Sequence, residues 1–227
     1  MHPNYLVRTI KLPGNKTATR GNRNRRSLGY YSKLWDAGST VTVGFMHDVP
    51  DDLAYRIERI IRQWDPHHNL ALEFVPLKTA KIRIALGGEH NESYLGTDAL
   101  LADPAEFTLR LGVQPEDPMF ESVLLHEFGH ALGFDHMHLH PDADIPWNRA
   151  KVYAYYEDLE GWTEQQVNLF IFDFPNDPDV FLGVYDKHSI MHYEIPAFLT
   201  DGKWQTGQNL RISEQDKINM RQIYPAL

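Results

Sequence analysis

Residues 126–136 read HEFGHALGFDH, and this stretch decides how the rest of the chain is interpreted. His126 and His130 are four positions apart, so on an α-helix they project from one face, one turn apart. Two imidazole nitrogens in that arrangement can each reach one zinc ion at about 2.0–2.1 Å. Glu127 is turned away by about 100° on the same helix. Its carboxylate would therefore lie beside the metal, where it can take a proton from a metal-bound water.

A third histidine completes the pattern. Gly133 follows three residues after His130, and glycine readily adopts the left-handed conformation that ends a helix and reverses the chain. The reversal would bring His136 to the same ion. Three histidines with one open position are typical of a catalytic zinc site, because structural zinc sites are normally closed by four protein ligands.

Two other interpretations of these histidines stay open. They are either ordinary core or surface residues of a helix, or the start of a looser metal-binding tract that also includes His138 and His140. The second interpretation explains neither Glu127 nor Gly133.

The pattern H-E-x-x-H-x-x-G-x-x-H resembles that of the metzincin zinc endopeptidases. That family also has a methionine turn downstream, and the sequence SIMHY at residues 189–193 is similar to its astacin version. The resemblance implies that Met191 forms a hydrophobic floor beneath the three histidines. It also implies that Tyr193 lies near the zinc as a displaceable fifth ligand. The resemblance spans most of residues 28–227, with high specificity in the two motifs.

The chain departs from the usual astacin pattern in several ways. It has no cysteine, which excludes disulfides, cysteine-ligated metals and a thiol switch. The sequence after His136 lacks the usual Glu and Arg, and no F-x-G-D motif of an inhibitory segment is present. The chain therefore resembles a cysteine-free, microbial relative that stands between astacins and matrixins.

The activity implied is peptide-bond hydrolysis by a zinc-bound water, with one zinc ion as cofactor and a protein or peptide as substrate. Glu127 acts as general base and then protonates the leaving amine, while Tyr193 donates a hydrogen bond to the oxyanion. Two alternatives stay open. One is a toxin-type or effector-type protease that acts on one host protein, and the other is a non-catalytic binding module stabilised by zinc.

Substrate is expected to bind as an added strand along the edge of the sheet above the cleft. The candidate edge is residues 94–100, chiefly the backbone of Gly96 and Thr97, although an ordinary loop is the alternative interpretation. By resemblance, residues after the methionine turn wall the pocket for the side chain that follows the scissile bond. Those candidates are Ile195, Pro196 and Phe198, which favour an apolar side chain.

The order of hydrophobic patterns predicts an α+β fold, with a mixed sheet and helices first and a helical, irregular part afterwards. With the resemblance, this becomes a two-lobed metzincin-like domain at residues 28–227. The lobes are expected at about residues 28–133 and 134–227, with the zinc cleft between them. Predicted strands are residues 40–45, 72–77, 81–86, 93–99 and 108–112. Predicted helices run from Asp51 to Pro66 and over residues 118–132, 148–159, 163–172 and 213–223.

Residues 1–27 form a basic arm with seven Lys and Arg residues and no acid, hence a formal charge of +7. Because the whole chain carries −9, the remainder carries −16. The arm is expected to be a strap on its own domain, a tail or a processed segment. A nucleic-acid partner is not expected, because phosphate binding needs positive charge and the arm lacks interleaved aromatic residues.

The longest apolar runs are five residues, so no transmembrane segment is predicted. No apolar signal-peptide core is visible near the N-terminus. The resemblance favours action outside the producing cell, by secretion or delivery, and a cytoplasmic location stays open. Calcium is unsupported, because neither the Asp142/Asp144 pair nor residues 173–179 fit an EF-hand pattern.

Overall fold

A computed structural model describes residues 7–10, 28–174 and 177–226. Within these ranges, six strands form one sheet and two short strands form a second. The strands are β1 (Val7–Ile10), β2 (Gly29–Tyr30), β3 (Thr40–Phe45), β4 (Ala71–Phe74), β5 (Ile82–Leu86), β6 (Asn91–Tyr94), β7 (Leu109–Leu111) and β8 (Val180–Phe181).

The large sheet is mixed, in the order β1-β6-β7-β5-β3-β4. Strands β3, β4, β5 and β7 are parallel, whereas β6 runs antiparallel to β7. Strand β1 pairs with β6 in parallel, with Val7 opposite Asn91 and Ile10 opposite Tyr94. The basic arm therefore contributes a strand to the sheet through residues 7–10. Of the basic residues of the arm, Arg8 lies in this strand and the other six lie outside the described residues.

Five α-helices lie within the described ranges: α1 (Asp51–Ile61), α2 (Phe120–Ala131), α3 (Arg149–Glu160), α4 (Glu164–Val167) and α5 (Glu214–Ile223). Helix α2 packs against α1, β6 and β7 and also lies close to β1. Ile57 and Trp64 are fully buried, as expected for core residues. No helix in these ranges has the length and apolar character needed to cross a membrane.

The architecture confirms the predicted α+β class, because a mixed sheet precedes a helical and irregular C-terminal part. Residues 29–32, near the start of the sheet-containing part, contact the C-terminal part. Strand β2 pairs with β8 near the other end of the chain, and Ser32 donates from its backbone to the Asp179 carboxylate at 3.1 Å. The lobe boundary near residue 133 stays a prediction.

Three predicted elements are corrected. Residues 93–99 are not one strand, because β6 ends at Tyr94 and Gly96–Leu100 is a 3-10 helix. Helix α1 ends at Ile61 rather than at Pro66, which lies inside a separate 3-10 turn. The helix predicted over residues 163–172 begins at the expected Thr163–Gln166 capping box, but changes to a π-helix at Asn168–Phe172.

Candidate metal centre

Helix α2 carries the first two histidines and lies in the core, with every residue from Val123 to Ala131 buried. The last carbonyls of a helix have no partner within it. Two aromatic side chains supply partners here. Trp35 donates from its indole to the Ala131 carbonyl at 2.8 Å, and the Tyr224 hydroxyl donates to the Leu132 carbonyl at 2.7 Å. These bonds fix the end of the helix from which the third histidine departs.

Gly133 reverses the chain as the sequence predicts. Its φ is +104°, and a Cβ at this position would lie 2.8 Å from the Leu34 side chain. The Phe134 amide then bonds the Gly129 carbonyl at 3.0 Å, and the Asp135 amide bonds the Leu28 carbonyl at 2.8 Å. The chain is thereby held so that His136 returns beside α2.

The three predicted histidines converge on one point. The Nε2 atoms of His126 and His130 are 3.0 Å apart, and those of His130 and His136 are 3.1 Å apart. Neighbouring nitrogens around a tetrahedral zinc at about 2.0–2.1 Å would be about 3.3 Å apart. The donor set therefore fits a zinc ion with only small adjustments. Within the described part of the chain, this is the one group of three His, Asp or Glu side chains close enough to share a metal.

Backbone carbonyls orient two of the rings. The Nδ1 atom of His126 lies 2.6 Å from the Ile190 carbonyl oxygen, and that of His130 lies 2.6 Å from the Phe134 carbonyl oxygen. A carbonyl only accepts, so each Nδ1 carries the proton and each Nε2 presents its lone pair to the metal. Burial, together with the neighbouring His130, lowers the pKa of His126 well below its ordinary value. His126 is therefore neutral and ready to bind.

Glu127 is one of the buried polar groups that the protein alone leaves unsatisfied. Its side chain is fully buried, and neither carboxylate oxygen has a hydrogen-bond partner within the described residues. Burial first, and then the nearby charge of Glu92, raise the pKa of Glu127 well above its ordinary value. A buried carboxylate without a partner, on the helix that carries two of the three converging imidazoles, is a feature expected where a metal and its water belong.

Met191 packs directly against α2. It is fully buried, and a Cβ built on Gly129 would overlap its sulfur atom. Gly129, between the two histidines of the helix, is thus small because the methionine occupies that space. The Met191 carbonyl also accepts from the Met137 amide at 2.9 Å, which ties the methionine turn to the segment after His136.

The Tyr193 ring packs against two histidine rings that also contact each other. Its ring centroid is 4.2 Å from that of His136 and 4.3 Å from that of His138, with which it is stacked at an interplanar angle of 17°. His138 is oriented in turn by the Phe170 carbonyl of the π-helix, 3.0 Å from its Nε2. The Tyr193 ring thus contacts the predicted zinc ligand His136, and its role at the zinc stays a prediction.

The interpretation of residues 136–140 as one loose metal-binding tract is not supported by this arrangement. His138 contacts the Phe170 carbonyl, and the Nε2 of His140 lies 3.0 Å from the Gly183 carbonyl. Both rings are buried and directed at backbone oxygens, whereas His136 is directed at the other two ligands.

The predicted substrate residues Gly96 and Thr97 do not form a strand edge. Gly96 is buried with a φ of +53°, and a Cβ there would overlap the Lys33 carbonyl oxygen. The Thr97 hydroxyl faces the Ser32 carbonyl at 3.4 Å. These residues pack against the backbone of residues 32–33, and the edge strand on this side of the sheet is β1.

The residues after the methionine turn differ in exposure. Ile195 is buried and its amide bonds the Thr206 hydroxyl at 3.0 Å, while Pro196 is half-buried at the start of a 3-10 helix. Phe198 is 50% exposed and packs edge-on against Tyr155, at 5.5 Å between ring centroids. Among these candidates, Phe198 is therefore the one available to a ligand.

Four contributing residues carried no clear signal in the sequence. Gly129 looks like any helical glycine, and Asp216 like any capping residue. His138 stands out only through its spacing of two from His136. The fourth is Asp135, which is fully buried and accepts from the His136 amide at 2.8 Å. Its position directly before a ligand was the available clue.

We expect zinc binding to release a proton from Glu127. Without metal, its raised pKa keeps the carboxyl protonated at higher pH than an exposed one, and a divalent cation beside it favours the ionised form. Calorimetric titration with zinc across a range of pH, in buffers of different ionisation enthalpy, measures this release. In the pH range where the metal-free carboxyl is protonated, the Glu127→Gln variant should release up to about one proton fewer per zinc. Equal proton release by the two proteins at every pH would contradict this description of Glu127.

Comparisons with known proteins agree with the site. A family model described as Astacin, a family of peptidases, matches residues 31–225. Zinc metalloproteinase dpy-31 of Haemonchus contortus is 27% identical over 200 residues, which cover 72% of this chain and 35% of that protein. Zinc metalloproteinase nas-38 of Caenorhabditis elegans is 24% identical over 209 residues, which cover 89% of this chain and 26% of that protein. The chain thus spans about a third or less of these relatives.

Solved structures give the same result. A structure of myroilysin superposes with a TM-score of 0.82 and 32% identity, covering 88% of this chain and 100% of that chain. The hatching enzyme HCE-1 of Oryzias latipes has a TM-score of 0.58 and 19% identity over 90% of this chain and all of its own, which shows a shared fold. The predicted resemblance is confirmed: the chain belongs to the astacin family of zinc metallopeptidases.

Proposed function

We propose that this chain is a zinc-dependent endopeptidase that cleaves protein or peptide substrates. The observation that carries the proposal is Glu127, a fully buried carboxylate without a hydrogen-bond partner, on the same helix as two of three converging imidazoles. A zinc site that only stabilised a binding module would have no use for this group, and burying it would be costly. Membership of a family of zinc metallopeptidases supports the proposal.

The residues divide the chemistry as follows. When bound, zinc polarises the peptide carbonyl and lowers the pKa of a water molecule. Glu127 accepts a proton from the attacking water and delivers it to the leaving amine nitrogen. His126, His130 and His136 would hold the ion. Tyr193, whose ring packs against His136 and His138, would donate a hydrogen bond from its hydroxyl to the developing oxyanion.

The substrate path follows from the sheet. An extended peptide that adds to a sheet as a strand gains its affinity from main-chain hydrogen bonds. Strand β6 packs against α2 and pairs with β7 along one of its two edges, so its other edge is where a peptide could add. In the observed structure β1 holds that position, and it runs parallel to β6. Substrate that pairs with β6 therefore has to displace residues 7–10. Beyond the scissile bond, the exposed ring of Phe198, braced by Tyr155, offers an apolar contact.

The type of protease is also part of the proposal. A general degradative enzyme would cleave many unfolded proteins, whereas a toxin-like effector would cleave one host protein. Action outside the producing cell is proposed for either, and detection of the protein in culture medium tests it. Calcium has no proposed role. Of the acidic residues considered for it, Asp142 is exposed and Asp179 is engaged by Ser32.

The substitution Glu127→Gln should abolish most peptidase activity while zinc remains bound. It keeps the size of the side chain but removes the base, and general acid–base catalysis contributes about 10²–10⁴-fold. The measurement is kcat/KM on a generic protein or peptide substrate, with zinc content determined in parallel. Glu121→Gln, on the exposed start of the same helix, is the control and should leave activity unchanged. An active Glu127→Gln enzyme would refute the proposed mechanism.

The substitution Tyr193→Phe should lower kcat, by about 10²–10³-fold if the hydroxyl is a full oxyanion donor, with little change in KM. The phenylalanine ring preserves the packing against both histidines. Tyr153→Phe removes a hydroxyl that donates to Asn168 at 2.7 Å and serves as the matched control. An effect confined to KM would assign Tyr193 to ground-state binding instead.

Weakening β1 should raise kcat/KM. Amide groups alternate between the two sides of a strand, so the double substitution Arg8→Pro/Thr9→Pro removes at least one donor facing β6. We expect a several-fold increase on a long peptide substrate, because the edge of β6 becomes easier to occupy. The double alanine variant at the same positions keeps the amides and should behave like the unsubstituted chain. Unchanged kcat/KM in the proline variant would show that substrate does not compete with β1.

A further inference from the structure

The carboxylate of Asp216 is buried at the start of α5, far along the chain from the metal ligands. It accepts hydrogen bonds from neutral donors. The Ser189 hydroxyl donates to Oδ1 at 2.5 Å, and the amides of Ile190 and Ser213 donate to Oδ2 at 2.8 and 2.9 Å. Only the bond from Ser213 belongs to the capping box of α5. The other two hold the methionine turn.

The two peptide groups that flank Ile190 connect this carboxylate to the zinc centre. The Ile190 amide bonds Asp216, and the Ile190 carbonyl receives the Nδ1 proton of His126 at 2.6 Å. Ser189 reinforces the turn, because its hydroxyl oxygen also accepts from the Met191 amide at 3.0 Å. The position of the carbonyl that orients His126 thus depends on the position of the Asp216 carboxylate.

The helix cap alone does not require a buried carboxylate. Ser213 already supplies the cap by accepting from the Asp216 amide at 3.0 Å. Burial raises the pKa of Asp216 to about 6, so keeping it ionised at neutral pH is unfavourable for the fold. Hydrogen bonds to an ionised acceptor are stronger and shorter than neutral ones, and the turn at residues 189–191 receives two of them.

We propose that Asp216 is a positioning residue of the metal centre, whose carboxylate fixes the Ser189–Ile190 turn so that the Ile190 carbonyl holds His126 with Nε2 directed at the zinc. This inference rests on His126 being a zinc ligand, as in the proposed function. Groups that orient a ligand from behind typically contribute 10–100-fold to metal affinity.

The test is the zinc dissociation constant of the full chain, measured at neutral pH by competition with a chelator. Asp216→Asn keeps the shape of the side chain but replaces one accepting oxygen with a donor that opposes the amides or the hydroxyl around it. We expect zinc affinity to fall, by at most the 10–100-fold typical of groups bonded directly to a ligand, because Asp216 acts through the Ile190 peptide. The visible absorption of the cobalt-loaded variant should also change, because these bands report ligand geometry.

Ser213→Ala is the matched control. It removes the cap bond from the Asp216 amide and the hydrogen bond of the Ser213 hydroxyl with the carboxylate, but leaves in place the bonds from Ser189 and the Ile190 amide that hold the turn. It should lower the melting temperature without changing zinc affinity. If Asp216→Asn does not fold, Ser189→Ala takes its place. That variant removes the hydroxyl that links Asp216 to the turn and should also weaken zinc binding.

Zinc affinity that is unchanged in Asp216→Asn, or in Ser189→Ala where that variant takes its place, would overturn the inference. So would a Ser213→Ala variant that loses as much affinity. Peptidase activity is not part of this readout. Failure of the unsubstituted chain to bind zinc at all would instead overturn the proposed function, and this inference with it.

Discussion

Helix α2 places two imidazoles and a carboxylate inside the core, and polar groups in such a place destabilise a protein unless each has a partner. Much of the surrounding structure supplies those partners. The ring protons of His126 and His130 go to two backbone carbonyls, and the end of the helix is capped by Trp35 and Tyr224. Among the buried polar side chains of α2, the Glu127 carboxylate is the one left without a hydrogen-bond partner, and it directly follows His126 in the chain. A carboxylate left without a partner in this place is available to a water molecule or a substrate.

The backbone carbonyls that orient the two histidines also link the segments that form the site. The carbonyl that orients His130 belongs to Phe134, which lies in the turn that brings His136 back to α2. The carbonyl that orients His126 belongs to Ile190, in the methionine turn that carries Met191 beneath Gly129. Each of the two rings is thus oriented by the segment that delivers another part of the site, so the helix cannot present its histidines correctly unless both segments are in place.

Sequence spacing predicted the parts of this site that depend on local geometry. The four-residue spacing of His126 and His130, and the glycine at 133, describe a helix and its reversal without reference to the rest of the chain. The strand expected at residues 93–99 was wrong because Gly96 is held with positive φ against the Lys33 carbonyl, a contact 63 residues away in sequence. The roles of His138 and Asp216 could not be predicted either. Their partners include the backbone groups of Phe170 and Ile190, and a backbone group has no residue type to recognise.

Zinc K-edge X-ray absorption on the zinc-loaded full chain tests the central claim most directly, because it counts the ligands and their types. The structure predicts three imidazole nitrogens at about 2.0–2.1 Å, completed by light oxygen ligands at similar distances. The same measurement on the Glu127→Gln variant should give the same three imidazoles, since Glu127 lies beside the metal rather than on it. A zinc ion with two imidazoles or fewer, or with the Glu127 carboxylate among its ligands, would contradict the account.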